Sequence, residues 1–241
     1  MNPVLQVNNL CRDQILHEIS FEMEAGEMLA IMGPSGSGKS TLLYNAAGLD
    51  TPDGGSVRLN NKELSALNEE ERAKLRLTKI GFVFQQMNTV PGLSLEENIA
   101  LPGIQAQSRR CKKQVYQKAR ALMKQLGLEG MEKCQVSQIS GGQLQRACIC
   151  RSLINEPLIL FADEPTGALN RQASKEVMDE LVKLNRRGMS ILMVTHDSKT
   201  AACCDRILYL QDGQIQDELS LRREDMQREA NVNNWLARHG W

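Results

Sequence analysis

Residues 28–40, MLAIMGPSGSGKS, constrain the fold of this chain more than any other stretch. The unbroken apolar run Met28–Met32 describes a strand buried on both faces. Gly33-Pro34-Ser35-Gly36-Ser37-Gly38-Lys39-Ser40 then follows the pattern G-x-x-x-x-G-K-[ST]. Thr41–Leu49 reads as a helix. A strand, a glycine loop and a helix in that order let backbone N–H groups converge on phosphate oxygens at the positive end of a helix dipole. Lys39 is placed to reach the β- and γ-phosphates of a nucleotide, and Ser40 to ligate Mg²⁺.

The remaining patterning extends this unit into an α/β domain. Ile80–Phe84, Leu158–Ala162 and Ile191–Val194 are further buried-strand runs, with an amphipathic helix expected over Gln172–Arg187. Strands alternating with helices predict a largely parallel sheet. Before the loop, Leu5–Val7 and Ile19–Glu24 alternate like half-buried strands, and Ser56–Leu59 adds another, so an antiparallel β subdomain is expected at the N-terminus. Ser65–Lys79 reads as a charged helix. From Ser94-Leu-Glu-Glu97, which fits a capping box, to about residue 150 the chain reads as an inserted helical block. Asp212-Gly213 between Ile207–Leu210 and Gln214–Gln216 signals a hairpin.

Composition closes off several classes. The 241 residues carry 29 Lys and Arg against 29 Asp and Glu, which disfavours a protein held on nucleic acid by bulk charge. At 4% aromatic there is little material for a base-stacking surface. No run of 18 apolar residues predicts a membrane span, and residues 1–10 lack the pattern of a signal peptide. The odd count of 7 cysteines fits reduced thiols better than a disulfide framework. Cys148 and Cys150 lack zinc spacing and read as small buried residues. The basic run Arg109–Lys113 reads as a solvated helix start.

Two further features carry chemistry. Leu158–Ala162 runs into Asp163-Glu164, which puts carboxylates at the C-terminal tip of a buried strand, where open α/β sheets bind ligands. Beside a nucleotide loop, Asp163 is expected to hold Mg²⁺ and Glu164 to orient and deprotonate the attacking water. Ile139-Ser140-Gly141-Gly142-Gln143 is a second anion-binding helix start, with Ser140 and Gln143 closing an S-x-x-Q box.

The loop Gly33–Ser40, Gln85 after IGFVF, ISGGQ at 139–143, Asp163-Glu164 and His196 in VTHD occur in the order of the ATP-binding cassette ATPases. The chain resembles that family over about residues 3–215. The resemblance implies one cassette: an α/β P-loop core (1–88 and 155–218) with the antiparallel β subdomain, a helical signature subdomain (89–154) and a helical tail (219–241). It implies ATP and Mg²⁺, bound by Gly33–Thr41 with Ser40, Gln85 and Asp163 at the metal. Ser140, Gly141, Gly142 and Gln143 would contact the γ-phosphate held by the opposite subunit of a head-to-tail homodimer. Gln85 would link metal and attacking water to a membrane permease on a separate chain, and His196 would contact the γ-phosphate. The wording LSALNEEERAKLRLTKIGFVFQQMN, ENIALP and DEPTGALN resembles the branch for lipoprotein release, macrolide export and peptide resistance. The implied location is cytoplasmic, on the inner face of the cell membrane.

The sequence departs from the family pattern in three places. No aromatic residue precedes the loop at the position that stacks on adenine; Arg12 either takes that role through its planar guanidinium or is merely exposed. The segment after the catalytic glutamate ends Leu169-Asn170 rather than Leu-Asp, and the signature opens with Ile139 rather than leucine. Besides a transporter ATPase, the sequence leaves two readings: a nucleotide-gated clamp on nucleic acid or ribosomes, and a structural pseudo-ATPase. The clamp reading lacks support from heptads or basic surplus. Trp235 and Trp241 are expected to dock the tail on the domain or to face a partner.

Overall fold

The computed structural model describes residues 3–107 and 111–241; Arg109 and Arg110 of the basic run lie outside them. Strands β1 (Leu5–Arg12) and β2 (Leu16–Met23) pair antiparallel. β3 (Met28–Met32) leads through the glycine loop into α1 (Lys39–Ala46). β4 (Gly54–Leu59) and the short β5 (Lys62–Glu63) complete an antiparallel sheet of order β2-β1-β4-β5.

Helix α2 (Glu69–Lys79) starts four residues later than the composition suggested. Asn68 sets that start: its side chain accepts from Glu71 N, and the Glu71 carboxylate accepts from Asn68 N. This capping box fixes the helix entry, and Ser65 is left to bond the backbone of Val57. β6 (Ile80–Val83) precedes three helices, α3 (Leu95–Ala106), α4 (Lys112–Gln125) and α5 (Gly141–Leu153). The chain then returns as β7 (Ile159–Asp163), α6 (Arg171–Arg186), β8 (Ser190–Val194), the short α7 (Ser198–Ala201), the hairpin β9 (Arg206–Gln211)–β10 (Gln214–Ser220) and α8 (Arg228–Arg238).

The main sheet has the order β10-β9-β3-β8-β7-β6, parallel except for β10 at its edge. Alternate residues of each central strand feed two cores. Ala30, Leu160, Met193 and Ile207 face a core built with α3, α4, α5, α6 and α8. Ile31, Phe161, Leu192 and Leu208 face a second core shared with α1 and the antiparallel sheet. Burial on both faces explains why β3, β7 and β8 read as unbroken apolar runs. The hairpin turn carries Asp212 at φ 48° and Gly213 at φ 72°, the left-handed pair a tight two-residue connection requires.

Helix α8 closes the first core. Val232, Trp235 and Leu236 are buried, whereas Trp241 remains half exposed. Asp217 of β10 fastens the helix by accepting from Trp235 Nε1 at 2.7 Å and pairing with His239 Nε2 at 2.9 Å. The His239 ring stacks on Tyr209, 4.4 Å between centroids. Among the described residues no helix is long and apolar enough to cross a membrane.

Candidate nucleotide site

The site lies along one edge of the main sheet. β3 ends in the glycine loop, β8 in Thr195-His196, β7 in Asp163-Glu164, and Gln85 follows β6 by two residues. Those strands are neighbours in that order, so residues far apart in sequence meet at their C-terminal ends.

The loop is a cradle by conformation. Gly33, Gly36 and Gly38 take φ of 150°, 82° and 97°, values that side-chain-bearing residues rarely adopt. A Cβ on Gly33 would stand 1.8 Å from the carbonyl oxygen of Leu210, so the backbone can lie there only as glycine. Pro34, Ser35 and Gly36 are exposed, and a Cβ on Gly36 would meet open space. Ser37 is buried, and its hydroxyl has no hydrogen-bond partner. A buried orphan hydroxyl under an open, left-handed loop suits an anion with acceptor oxygens. Lys39 Nζ donates to the carbonyls of Gly33 at 2.8 Å and Pro34 at 2.7 Å. Burial lowers the Lys39 ammonium from its ordinary value, and the charges of Glu164 and Asp163 oppose that shift.

Ser40 and Asp163 are joined directly: Ser40 Oγ donates to Asp163 Oδ1 at 3.0 Å. Tyr44, one helical turn beyond Ser40, donates to Asp163 Oδ2 at 2.7 Å. Burial first, then the hydrogen bond to Asp163 and its charge, push the Tyr44 phenol up to about 12. It therefore stays a donor at neutral pH. The motif pattern did not single out Tyr44; a hydroxyl four residues after Ser40 on the same helix face was the available signal. An oxygen set of one hydroxyl and one carboxylate fits Mg²⁺, which completes its shell with water and phosphate oxygens. Accordingly, no cluster of three His, Cys, Asp or Glu among the described residues could hold a metal by itself.

Glu164 sits at φ 47°, left-handed for a residue with a side chain, at the sharp turn off β7. Its backbone is fixed by Glu164 N donating to Val194 O and Gly167 N donating to Glu164 O, both at 3.0 Å. Its carboxylate meets His196 Nδ1 at 2.7 Å, with the carboxylate mostly buried and the imidazole mostly exposed. Gln85 is exposed, and its amide lies 3.5 Å from where a Cβ on Gly167 would stand.

The other predicted group stands at the start of α5. Ser140 caps α5: its hydroxyl accepts from Gln143 N at 3.3 Å, and Gln143 Oε1 accepts from Ser140 N at 2.8 Å. Ser140 and Gly141 are exposed, while Gly142 is buried against α6, where a Cβ would stand 2.9 Å from Ala173 Cβ. Asn170 caps α6 through Ala173 N at 2.9 Å, so it keeps the hydrogen bond an aspartate would make and drops only the charge.

Arg12 is half-buried rather than merely exposed. Its guanidinium is clamped by Asp50 and Asp53, with contacts of 3.2 Å and 2.8 Å. At the tip of the β1–β2 turn it is Ile15 that lies against the loop, 3.1 Å from where a Cβ on Gly38 would stand, with 42% of its surface exposed.

The family model for ABC transporters matches residues 16–167. The macrolide export ATP-binding/permease protein MacB of Escherichia coli is 45% identical over 201 residues, covering 83% of this chain and 31% of its own length. The chain thus spans about a third of the length of such relatives. The ABC transporter ATP-binding protein YknY of Bacillus subtilis is 40% identical over 83% of this chain and 86% of its own length. Among solved structures, the ABC transporter cassette MJ0796 in its dimeric form superposes with a TM-score of 0.81 at 38% identity, covering 90% of this chain and 99% of that one. The same cassette as a dimer bound to ADP and Pi gives a TM-score of 0.81 at 37% identity.

Proposed function

This chain belongs to the ABC transporter family, and on that premise we propose a role for each residue of the site in turnover by a pair of chains. The chain is an ATP-binding, ATP-hydrolysing subunit with the P-loop ATPase fold. The loop Gly33–Thr41 wraps the phosphates, and Lys39 exchanges the carbonyls of Gly33 and Pro34 for β- and γ-phosphate oxygens. Ser40, Asp163 and Gln85 hold Mg²⁺, which when bound neutralises charge on the transferring phosphoryl group. Glu164 orients the attacking water and takes its proton. His196, now bonded to Glu164, turns its exposed ring to the γ-phosphate.

Ser140, Gly141, Gly142 and Gln143 complete the site of a second copy. The supporting observation is that Ser140 and Gly141 are exposed on a capped helix start packed against α6. The dimeric cassettes of MJ0796 support a paired state. The work done on the far side falls to a membrane permease. A separate permease chain is favoured by the likeness to YknY, an ATP-binding protein of similar span, whereas the MacB relatives combine ATP-binding and permease in one protein. Export or mechanical work by that permease, with this chain cytoplasmic against the inner face of the membrane, is the reading that results. Direct nucleic-acid contact has no part in it.

The observation that carries this function is the Glu164–His196 pair at 2.7 Å, set on strand ends beside the phosphate loop. Glu164→Gln should bind ATP as wild type does, release phosphate at least about a hundredfold more slowly, and elute as an ATP-dependent dimer. Wild-type phosphate release by that variant would overturn the role of Glu164. Absence of Mg²⁺-dependent release by the unaltered chain would overturn the enzyme assignment.

A further inference from the structure

We propose that Tyr44 is a positioning residue for the divalent cation, acting through Asp163. The inference rests on Asp163 being the metal carboxylate, as read above.

Asp163 is buried at the tip of β7. Its two oxygens are held by two hydroxyls of one helix face, Ser40 on Oδ1 and Tyr44 on Oδ2. A carboxylate gripped at one oxygen can still rock about its terminal torsion, which is broad and roughly two-fold. A second donor on the other oxygen fixes the plane. The Tyr44 ring is itself fixed: it packs at 5.7 Å and 53° to Phe82, which stacks on Phe161 of β7 at 6.2 Å and 13°. The backbone carbonyl of Tyr44 also accepts from Leu49 N and Asp50 N, anchoring the end of the helix. The phenol is thus a rigid strut between α1 and the carboxylate.

Its consequence is for metal affinity rather than for nucleotide binding as such. Ser40 can turn an oxygen lone pair to a cation while its O–H still donates to Asp163 Oδ1. Tyr44 then satisfies the remaining oxygen, which is deep enough that water would not readily replace the donor. Without the phenol, Oδ2 loses its donor and the carboxylate is free to turn. Outer partners that orient metal-binding carboxylates are worth about 10–100-fold in metal affinity or activity.

The test is equilibrium binding of a fluorescent ATP analogue to the full chain, with EDTA and across a Mg²⁺ or Mn²⁺ titration. Tyr44→Phe should need about tenfold more Mg²⁺ for half-maximal tightening, with binding in EDTA unchanged within twofold. In an Asp163→Asn background, Tyr44→Phe should add little further shift, since the carboxylate it orients toward the metal is gone. Tyr44→Leu also lacks the hydroxyl and should reproduce the shift if the Phe variant does not fold. A Mg²⁺ midpoint within twofold of wild type in Tyr44→Phe overturns the proposal. So does an equal loss in EDTA, or a loss that persists undiminished in the Asp163→Asn background. If Asp163→Asn alone leaves the Mg²⁺ midpoint unmoved, it is the metal role of Asp163 that fails.

Discussion

Gly33 and Asn170 show how single positions set the limits of the site. A methyl on Gly33 would stand 1.8 Å from Leu210 O, a backbone atom that cannot swing away. Gly33→Ala should therefore lose ATP binding and lower the unfolding temperature, whereas Gly36→Ala meets only its φ of 82° and open space. Thermal unfolding with and without Mg²⁺-ATP distinguishes the two. Asn170→Asp keeps the cap on Ala173 N and adds a negative charge at the start of α6, so it should stabilise by about 0.3–1 kcal/mol. Asn170→Ala should cost about 1 kcal/mol. Denaturant titration measures both. The positions of Asp163, Glu164 and His196 were legible in sequence because they sit at the ends of apolar strands, and that of Lys39 because its glycine loop follows one. Tyr44 was not, because its importance comes from Asp163, a partner 119 positions away along the chain. The clamp on Arg12 was hidden for the same reason: Asp50 and Asp53 lie about forty positions away along the chain.

Among the elements, α8 is fastened by one carboxylate as well as by its buried face. Asp217 holds both Trp235 and His239, and the backbone N–H of Glu218, ahead of those two side chains, keeps its carboxyl below the usual range. A depressed carboxylate stabilises the fold above the unfolded value of about 3.9, and that contribution is lost as pH falls through the lower folded value. Docking of α8 should therefore persist at pH 5 and weaken below about pH 4. Tryptophan emission should shift to the red in step, and Asp217→Ala should show part of that shift at neutral pH. The tail was legible as a docking segment from its tryptophans, but Trp241 is left half exposed while Trp235 carries the contact. The late start of α2 was missed because a string of charged residues carries no boundary; the cap at Asn68 supplies it. The short β5 and α7 have too few residues to show a period.

Over the whole molecule, the alternation of buried runs foretold the parallel sheet, and the α/β P-loop fold is what forms. Spatial strand order was beyond sequence, since apolar runs say that a strand is buried and not beside which neighbour. The two cores also account for the cysteines. Cys148, Cys150 and Cys204 are buried, and burial pushes the Cys150 thiol up to about 12. In the native protein these three should resist alkylation that reaches Cys11 and Cys134, and should react on unfolding; mass mapping of the labelled chain checks this.

The strand order also bears on how the protein is made. β8, residues 190–194, lies between β3 and β7, which hold the phosphate loop and the paired carboxylates. A ribosome makes the glycine loop about 150 residues before β8, so the sheet that frames the loop stays open until β8 leaves the exit tunnel. Over that stretch of synthesis a nascent chain carries the phosphate motif with no site around it. Nucleotide can act as a folding partner only once β8 is in place, so ATP capture marks the assembled sheet rather than guiding the earlier steps.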